Sequence, residues 1–198
     1  MKSRGDFKLL GTTLDDSAGE AFDKVARVLG LSYPGGPEIE KLAQKFTVHS
    51  SQLTVKLPRP MIGSKDYNFS FSGLKTAVVN KVNSTPQHHL VRDKQLAVNK
   101  KTAIADEFQK AVVDVLVKKT LKACNQYNCK SMVIGGGVSA NVLLCSQMTD
   151  HASRLGIKVY FPSKNLAVDN AAMIATAAYY IKDKIDPLKI SAKPNLHF

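Results

Sequence analysis

The chain has 198 residues, 44% hydrophobic and 22% charged, which is enough apolar material for one or at most two modest globular domains and too much for a disordered tail. Lys and Arg outnumber Asp and Glu 28 to 16, a formal net charge of +12; such a field attracts polyanions, most simply nucleic acid, although scattered lysines are also what a plain solvated surface carries. No apolar run reaches the roughly eighteen residues of a membrane span, no signal-type segment follows Met1–Asp6, and Cys124, Cys129 and Cys145 fit no zinc spacing, so the expectation is a cytoplasmic protein with free thiols and no membrane contact.

Phe7 to Leu14 reads as a strand. Asp15-Asp16-Ser17, with Glu20 three residues after Ser17, is a capping box that opens a helix to about Leu29, its core stripe being Ala18, Phe22, Val25 and Leu29. Asp23 lies beside that stripe, one turn after Gly19. It either pairs with Arg27 or presents its carboxylate to a ligand hydroxyl or amine. Gly30 stops the helix, Tyr33-Pro34-Gly35-Gly36 turns the chain, and Pro37 starts the next helix through Ile39, Leu42 and Ala43. Glu40, one turn in, either serves the helix dipole or meets a ligand resting on Gly36.

Leu53 to Leu57 alternates like an edge strand, and Pro58 and Pro60 forbid regular helix. Asn68-Phe69-Ser70-Phe71 alternates again before Ser72-Gly73 opens a helix. Lys75 near its start is disfavoured by the dipole unless it faces an anion. Asn83 to Arg92 reads as a loop. Gln95 to Cys124 is the longest helix, with Ile104, Phe108, Ala111, Val112, Val115 and Leu116 on one stripe and lysines behind, a scaffold element.

Lys130 to Ile134 reads as a short buried strand, Gly135-Gly136-Gly137 follow at once, and Ser139 begins an amphipathic helix to about Leu155. A strand, glycine turn and helix in this order put unpaired N–H groups at the carboxyl edge of a sheet, where a nucleotide can lie on bare backbone; the same pattern also closes an ordinary βα unit. It is neither G-x-G-x-x-G nor a Walker loop. Asn141, in the helix's first turn, either caps the backbone or bonds a ribose or base edge. Lys158 to Pro162 is a second strand. Leu166 to Asn170 leads into a helix of small residues, Ala171, Ala172, Ala175, Ala177 and Ala178, suited to close packing. Asp169 at its start is an N-cap by default, or else a metal or phosphate-site carboxylate. The order gives an α/β layered domain whose last β-α-β is a crossover with a ligand edge at its strand ends.

Five stretches stand in one order: Asp15 to Lys24, Tyr33 to Pro37, Phe69 to Thr76, Gly136 to Asn141 and Asp169 to Ala175. Together they closely resemble the TsaD (Gcp) family over about Gly5 to Pro194, and Leu57-Pro58-Arg59-Pro60-Met61 resembles its bacterial or organellar branch. The resemblance implies an actin/Hsp70/sugar-kinase-like (ASKHA) two-lobed fold. It also implies transfer of the threonylcarbamoyl group from threonylcarbamoyl-adenylate to N6 of adenosine 37 in ANN-decoding tRNA, with release of AMP. Asp23, Gly36, Glu40 and Asn141 match family positions that hold the adenylate, and Gly136 and Gly137 line the same loop. Asp169 matches the family's carboxylate ligand to an iron or zinc ion, which replaces the capping default. The implied partners are tRNA and, in bacteria, TsaB-like and TsaE-like proteins.

The family's other metal ligands are two histidines spaced H-x-x-x-H on an N-terminal lobe. His49, His88, His89, His151 and His197 make no such pair. The expectation is therefore a partial domain over 1–198, mainly the C-terminal lobe, with a ligand-binding portion at 5–182, an irregular strap at 183–198 and no N-terminal lobe. Such a chain would be inactive or nearly so alone. The alternative is a non-catalytic adenylate-binding or scaffold module of the same family. A mitochondrial location would follow if a preceding segment carried a transit peptide. A sugar kinase or ATPase rests on fold analogy only, and a peptidase lacks H-E-x-x-H.

Overall fold

The computed structural model describes residues 7–46, 54–84 and 94–180, with positions 186 and 191. In chain order the regular elements are α1 (Ala18–Leu29), α2 (Gly35–Gln44), α3 (Ser72–Asn83), α4 (Lys94–Gln126), β1 (Ser131–Val133), α5 (Val142–Arg154), β2 (Lys158–Tyr160) and α6 (Ala171–Tyr180). Single 3-10 turns lie at Gly137–Ala140 and Lys164–Leu166. The α/β class is as expected, but helices dominate and the sheet is small.

Helix α4 is the spine, 33 residues and therefore about 50 Å long. Its middle is buried on two faces rather than along one stripe, because it serves two cores. Ile104, Ala105, Phe108, Ala111, Val112 and Val115 join Phe22, Val25 and Leu29 of α1, Ile39 of α2 and Leu74 and Val78 of α3. Phe22 and Phe108 meet edge to face, ring centroids 5.1 Å apart, a contact that adds about 1 kcal/mol beyond burial. Val113, Val117 and Cys124 face the other way, into Met132, Leu144, Met148, Ala152 and Ile157. The lysines behind α4 have one exception: Lys119 is 2% exposed. Its Nζ donates to Met61 O at 3.0 Å, Ser64 Oγ at 2.6 Å and Asp66 Oδ1 at 3.3 Å, and those partners offset the cost of burying the charge.

The ends of α1 follow the sequence closely. Ser17 Oγ accepts the Glu20 N–H at 3.2 Å, Glu20 Oε2 accepts the Ser17 N–H at 2.8 Å, and Gly30 closes the helix in the left-handed conformation. Helix α2 starts at Gly35, two residues before the expected Pro37. The strands β1 and β2 pair in parallel, Met132 opposite Val159, with α5 as the crossover between them. Only Met132 of β1 is buried, and Val133 is 80% exposed, so this strand is covered on one side rather than buried on both.

Three expected strands do not form ladders. Phe7–Leu14 and Asn68–Phe71 meet through a single bridge, Thr13 beside Phe69, with the Phe69 N–H donating to Thr12 O at 2.9 Å and the Leu14 N–H to Phe69 O at 2.8 Å. Residues 54–57 are irregular; the Leu57 N–H donates to Glu107 Oε1 at 3.1 Å instead of to a strand, and Arg59 ties the loop down by pairing with Glu107 and Asp114. Helix α6 is exposed at every residue. Its alanines press on no neighbour among the described residues, contrary to the close packing expected of them. Helix α3 extends to Asn83. Beyond Ser84 the expected 83–92 loop lies outside the described residues, as does the 183–198 strap apart from two positions.

Candidate functional site

Helices α1 and α2, the glycine loop after β1 and the turn after β2 converge on one cavity of about 650 Å³. Asp23, Gly36, Glu40, Gly136, Gly137 and Asn141 all line it. Asp169 does not, although its neighbour Val168 does. Leu116, Leu144 and Met148 give the cavity an apolar side, and its polar groups sit on the helix ends and the glycine loop.

Two helix ends are assembled here by the residues singled out in the sequence. Asp23 does not pair with Arg27; its Oδ1 accepts the Gly35 N–H at 2.7 Å and so caps α2 across the α1–α2 turn. That contact requires glycine at position 35, since a Cβ there would lie 2.6 Å from Asp23 Cα and 2.7 Å from Ala26 Cβ. Gly36, one residue on, has nothing within 4 Å of where a Cβ would stand and offers bare backbone to the cavity. Gly19, one turn before Asp23, faces Val138, whose Cγ2 lies 3.8 Å from where a Cβ would stand.

The start of α5 lies three residues later than expected, after the 3-10 turn, and Asn141 is its N-cap rather than a first-turn residue. Asn141 Oδ1 accepts the Leu144 N–H at 2.9 Å, and its Nδ2 donates to Gln109 Oε1 at 2.9 Å, so this 8% exposed amide is held at both ends. Glu40 Oε1 accepts the Val142 N–H at 2.8 Å. Two of the first three N–H groups of α5 are thus taken by side chains, and a further pair of donors lies one step earlier. The N–H groups of Gly135 and Gly136 donate to no protein group among the described residues. Gly136 has φ of 84° and ψ of 165°, a region essentially confined to glycine. Neither glycine has anything within 4 Å of its own Cβ position. Exposed amides on a cleft wall without side chains suit a phosphate or carboxylate oxygen.

Two groups in the cavity wall escaped the sequence reading. Lys164 is its one basic residue among the described residues; the available signal was position, just after β2, on the same sheet edge as the glycine loop. Ser139 is 3% exposed, and its Oγ has no hydrogen-bond partner among the described residues. Next to it, burial pushes the Cys145 thiol up and away from thiolate, and its Sγ donates to Ser139 O at 3.1 Å. The protonated thiol is the form this setting favours.

Asp169 was read as a cap or a metal ligand. The cap of α6 is Asn170, whose Oδ1 accepts the Met173 N–H at 2.9 Å; Asp169 is exposed and makes no hydrogen bond among the described residues. No group of three His, Cys, Asp or Glu side chains stands together among the described residues. One carboxylate alone does not hold an iron or zinc ion, so these residues by themselves do not fit a metal centre. Lys75 likewise has no ion-pair partner among the described residues. The dipole of α3 is met by Asp15 instead, which accepts the Phe71 N–H at 2.7 Å, the Ser72 N–H at 3.2 Å and the Ser72 hydroxyl at 2.6 Å, with Ser70 as a further donor.

No helix among the described residues is long and apolar enough to cross a membrane. Residues 1–176 match the family model for TsaD, tRNA N6-adenosine threonylcarbamoyltransferase. Proteins of that name from Thermosipho melanesiensis and Moorella thermoacetica are 46% and 45% identical to it, each over 96% of this chain but 54% and 53% of their own length. The one from Nitrosospira multiformis is 48% identical over 87% of this chain and 47% of its own. The chain thus spans about half the length of the curated relatives it matches. With the family model covering most of the chain and the motif residues gathered on one cavity, the chain belongs to the TsaD family.

Proposed function

We propose that this chain supplies the adenylate-holding portion of a tRNA N6-adenosine threonylcarbamoyltransferase, acting in the cytoplasm as the C-terminal lobe of a two-lobed ASKHA fold. The observation that carries the reading is convergence: six residues spread from Asp23 to Asn141 line one cavity beside unpaired glycine amides.

In the proposed reaction the N6 nitrogen of adenosine 37 attacks the carbamoyl carbon of threonylcarbamoyl-adenylate. A C–N bond forms, the C–O bond to the phosphate breaks, the N6 proton is lost to solvent, and AMP leaves with the electron pair. Negative charge therefore grows on the phosphate oxygens. In this reading the amides of Gly135 and Gly136 and the Lys164 ammonium, which line the same cavity, hold that charge, and electrostatic groups fixed in advance are the usual source of such stabilisation. Asp23, Glu40 and Asn141 act chiefly by holding the α2 and α5 starts that frame the site. Asp169 is assigned as one carboxylate toward an iron or zinc ion, and no step above passes through that ion. Partners in this reading are tRNA and TsaB-like and TsaE-like proteins.

Calorimetric titration of AMP into the chain tests the reading. Saturable binding that weakens about tenfold in Lys164→Ala, the scale of one charge-assisted contact, supports it; no binding overturns it. A second reading, a non-catalytic adenylate-binding module, is favoured by the lone Asp169 carboxylate. It expects AMP binding but no modified adenosine when threonylcarbamoyl-adenylate and tRNA are supplied.

A further inference from the structure

At the C-terminal end of α4, two tyrosines and several exposed lysines form a cluster, and none of them lines the cavity. Tyr67 and Tyr127 lie with ring centroids 6.3 Å apart, tilted by 54°. Lys122 Nζ stands 5.5 Å from the Tyr67 ring centroid and Lys8 Nζ 5.5 Å from that of Tyr127. The cluster is built by backbone contacts. Lys122 Nζ donates to Ser64 O at 2.9 Å and Lys65 O at 2.8 Å, which fixes its ammonium without neutralising it. The Tyr67 hydroxyl donates to Gln126 Oε1. Gly11 lets the 7–14 segment lie directly on Tyr67: a Cβ there would stand 2.4 Å from Tyr67 O. That approach brings Lys8 to Tyr127.

Among the described residues the charge is one-sided. Lys8, Lys65 and Lys122 are all exposed, and the carboxylate beside them, Asp66, is engaged by the buried Lys119. Tyr127 is 44% exposed, a large flat ring held in place among cations. Aromatic faces interleaved with fixed lysines are the arrangement that takes an unpaired base by stacking and its flanking phosphates by charge. A protein partner would meet such lysines with carboxylates, whereas RNA meets the lysines with its phosphates and the exposed ring with a base. Of the two, RNA uses both features.

We propose that this Tyr67–Tyr127 platform with Lys8, Lys65 and Lys122 is an RNA-binding surface, separate from the adenylate cavity, that holds an unpaired stretch of tRNA by stacking on Tyr127. The choice of tRNA rests on the proposed function; the surface itself does not. The test is binding of an unmodified tRNA transcript to the full chain, measured across a range of salt concentrations. Lys8→Ala/Lys65→Ala/Lys122→Ala should flatten the slope of log K against log salt by about two, given roughly 0.7 per phosphate contact on a single strand. Tyr127→Ala should weaken binding about tenfold with the slope unchanged. A charge-matched control, Lys41→Ala/Lys45→Ala/Lys56→Ala, should do much less. Equal loss in the control and the platform variant, or wild-type binding by both platform variants, overturns the proposal. AMP titration of the same variants separates the two readings. AMP binding without any platform effect on tRNA sinks this inference alone, whereas platform-dependent tRNA binding without AMP binding sinks the proposed function alone.

Discussion

Asp23 Oδ1 accepts the backbone N–H of Gly35 at 2.7 Å, so a carboxylate in the cavity wall also holds the start of the neighbouring helix. Its two roles separate by substitution. Asp23→Ala removes the cap and should destabilise the fold by about 1 kcal/mol, whereas Asp23→Asn keeps an acceptor of nearly equal capping strength. Urea unfolding measures the first effect. AMP titration of the Asn variant, whose stability should be close to wild type, then reports what the charge alone contributes to the ligand.

Adjacent glycines at the start of α2 should behave in opposite ways. A methyl at Gly35 runs into Asp23 Cα, Ala26 Cβ and Phe22 O, all within 2.8 Å. Those are backbone and short side-chain atoms that cannot swing aside, so Gly35→Ala should cost about 1–3 kcal/mol as α1 and α2 are forced apart. Gly36→Ala meets nothing within 4 Å and should change stability by no more than about 1 kcal/mol. The difference in urea midpoints between the two variants is the readout, and equal midpoints would refute the close approach.

Asp15 carries a pH dependence with a definite sign. Desolvation acts to raise its pKa, but hydroxyls of Ser70 and Ser72 and amides of Phe71 and Ser72 outweigh it and lower the carboxyl from 3.8 to about 2. A folded-state pKa below the unfolded one means a contribution that is fully present above about pH 4 and lost as pH falls toward 2. Asp15→Asn lacks that contribution. Its stability should be lower than wild type at neutral pH, and the gap should narrow between pH 4 and pH 2 in urea titrations; a constant gap would show that Asp15 is not held in this way.

Local signals in the sequence located α1 to the residue, because the Ser17–Glu20 capping box and Gly30 act within one turn of the chain. The site residues were legible for a similar reason: glycines, caps and acids at helix starts mark where backbone donors gather. What the sequence could not disclose were partners far along the chain. Asp15 read as part of the α1 cap, and nothing local shows that it crosses to Ser72. Glu107 and Asp114 on the long helix carry no local sign that Arg59 lies between them. Phe7–Leu14 reads as a strand and the alternation of Leu53–Leu57 signals a half-buried edge, yet a ladder also needs a neighbouring strand, which a single stretch does not provide. Lys119 and Lys164 carried no local signal apart from their spacing, since a lysine on a helix or turn reads the same whether it is buried, lines a cavity or points to water.

Neighbouring residues at the start of α6 divide two jobs that the sequence assigned to one. Asn170 Oδ1 accepts the Met173 N–H, while Asp169 is exposed and free of hydrogen bonds among the described residues. Because α6 has no buried face among those residues to hold it, its first turn depends on the cap more than a packed helix would. Asn170→Ala should therefore release about 1 kcal/mol of local stability, seen as faster amide exchange at Met173 and the residues just after it. Asp169→Ala should leave those exchange rates where they are. If the two variants fray α6 equally, the cap is shared and Asp169 is structural. If only Asn170→Ala does, the Asp169 carboxylate is free for a ligand, and any change in cation binding in Asp169→Ala follows from the carboxylate itself and not from an unravelled helix.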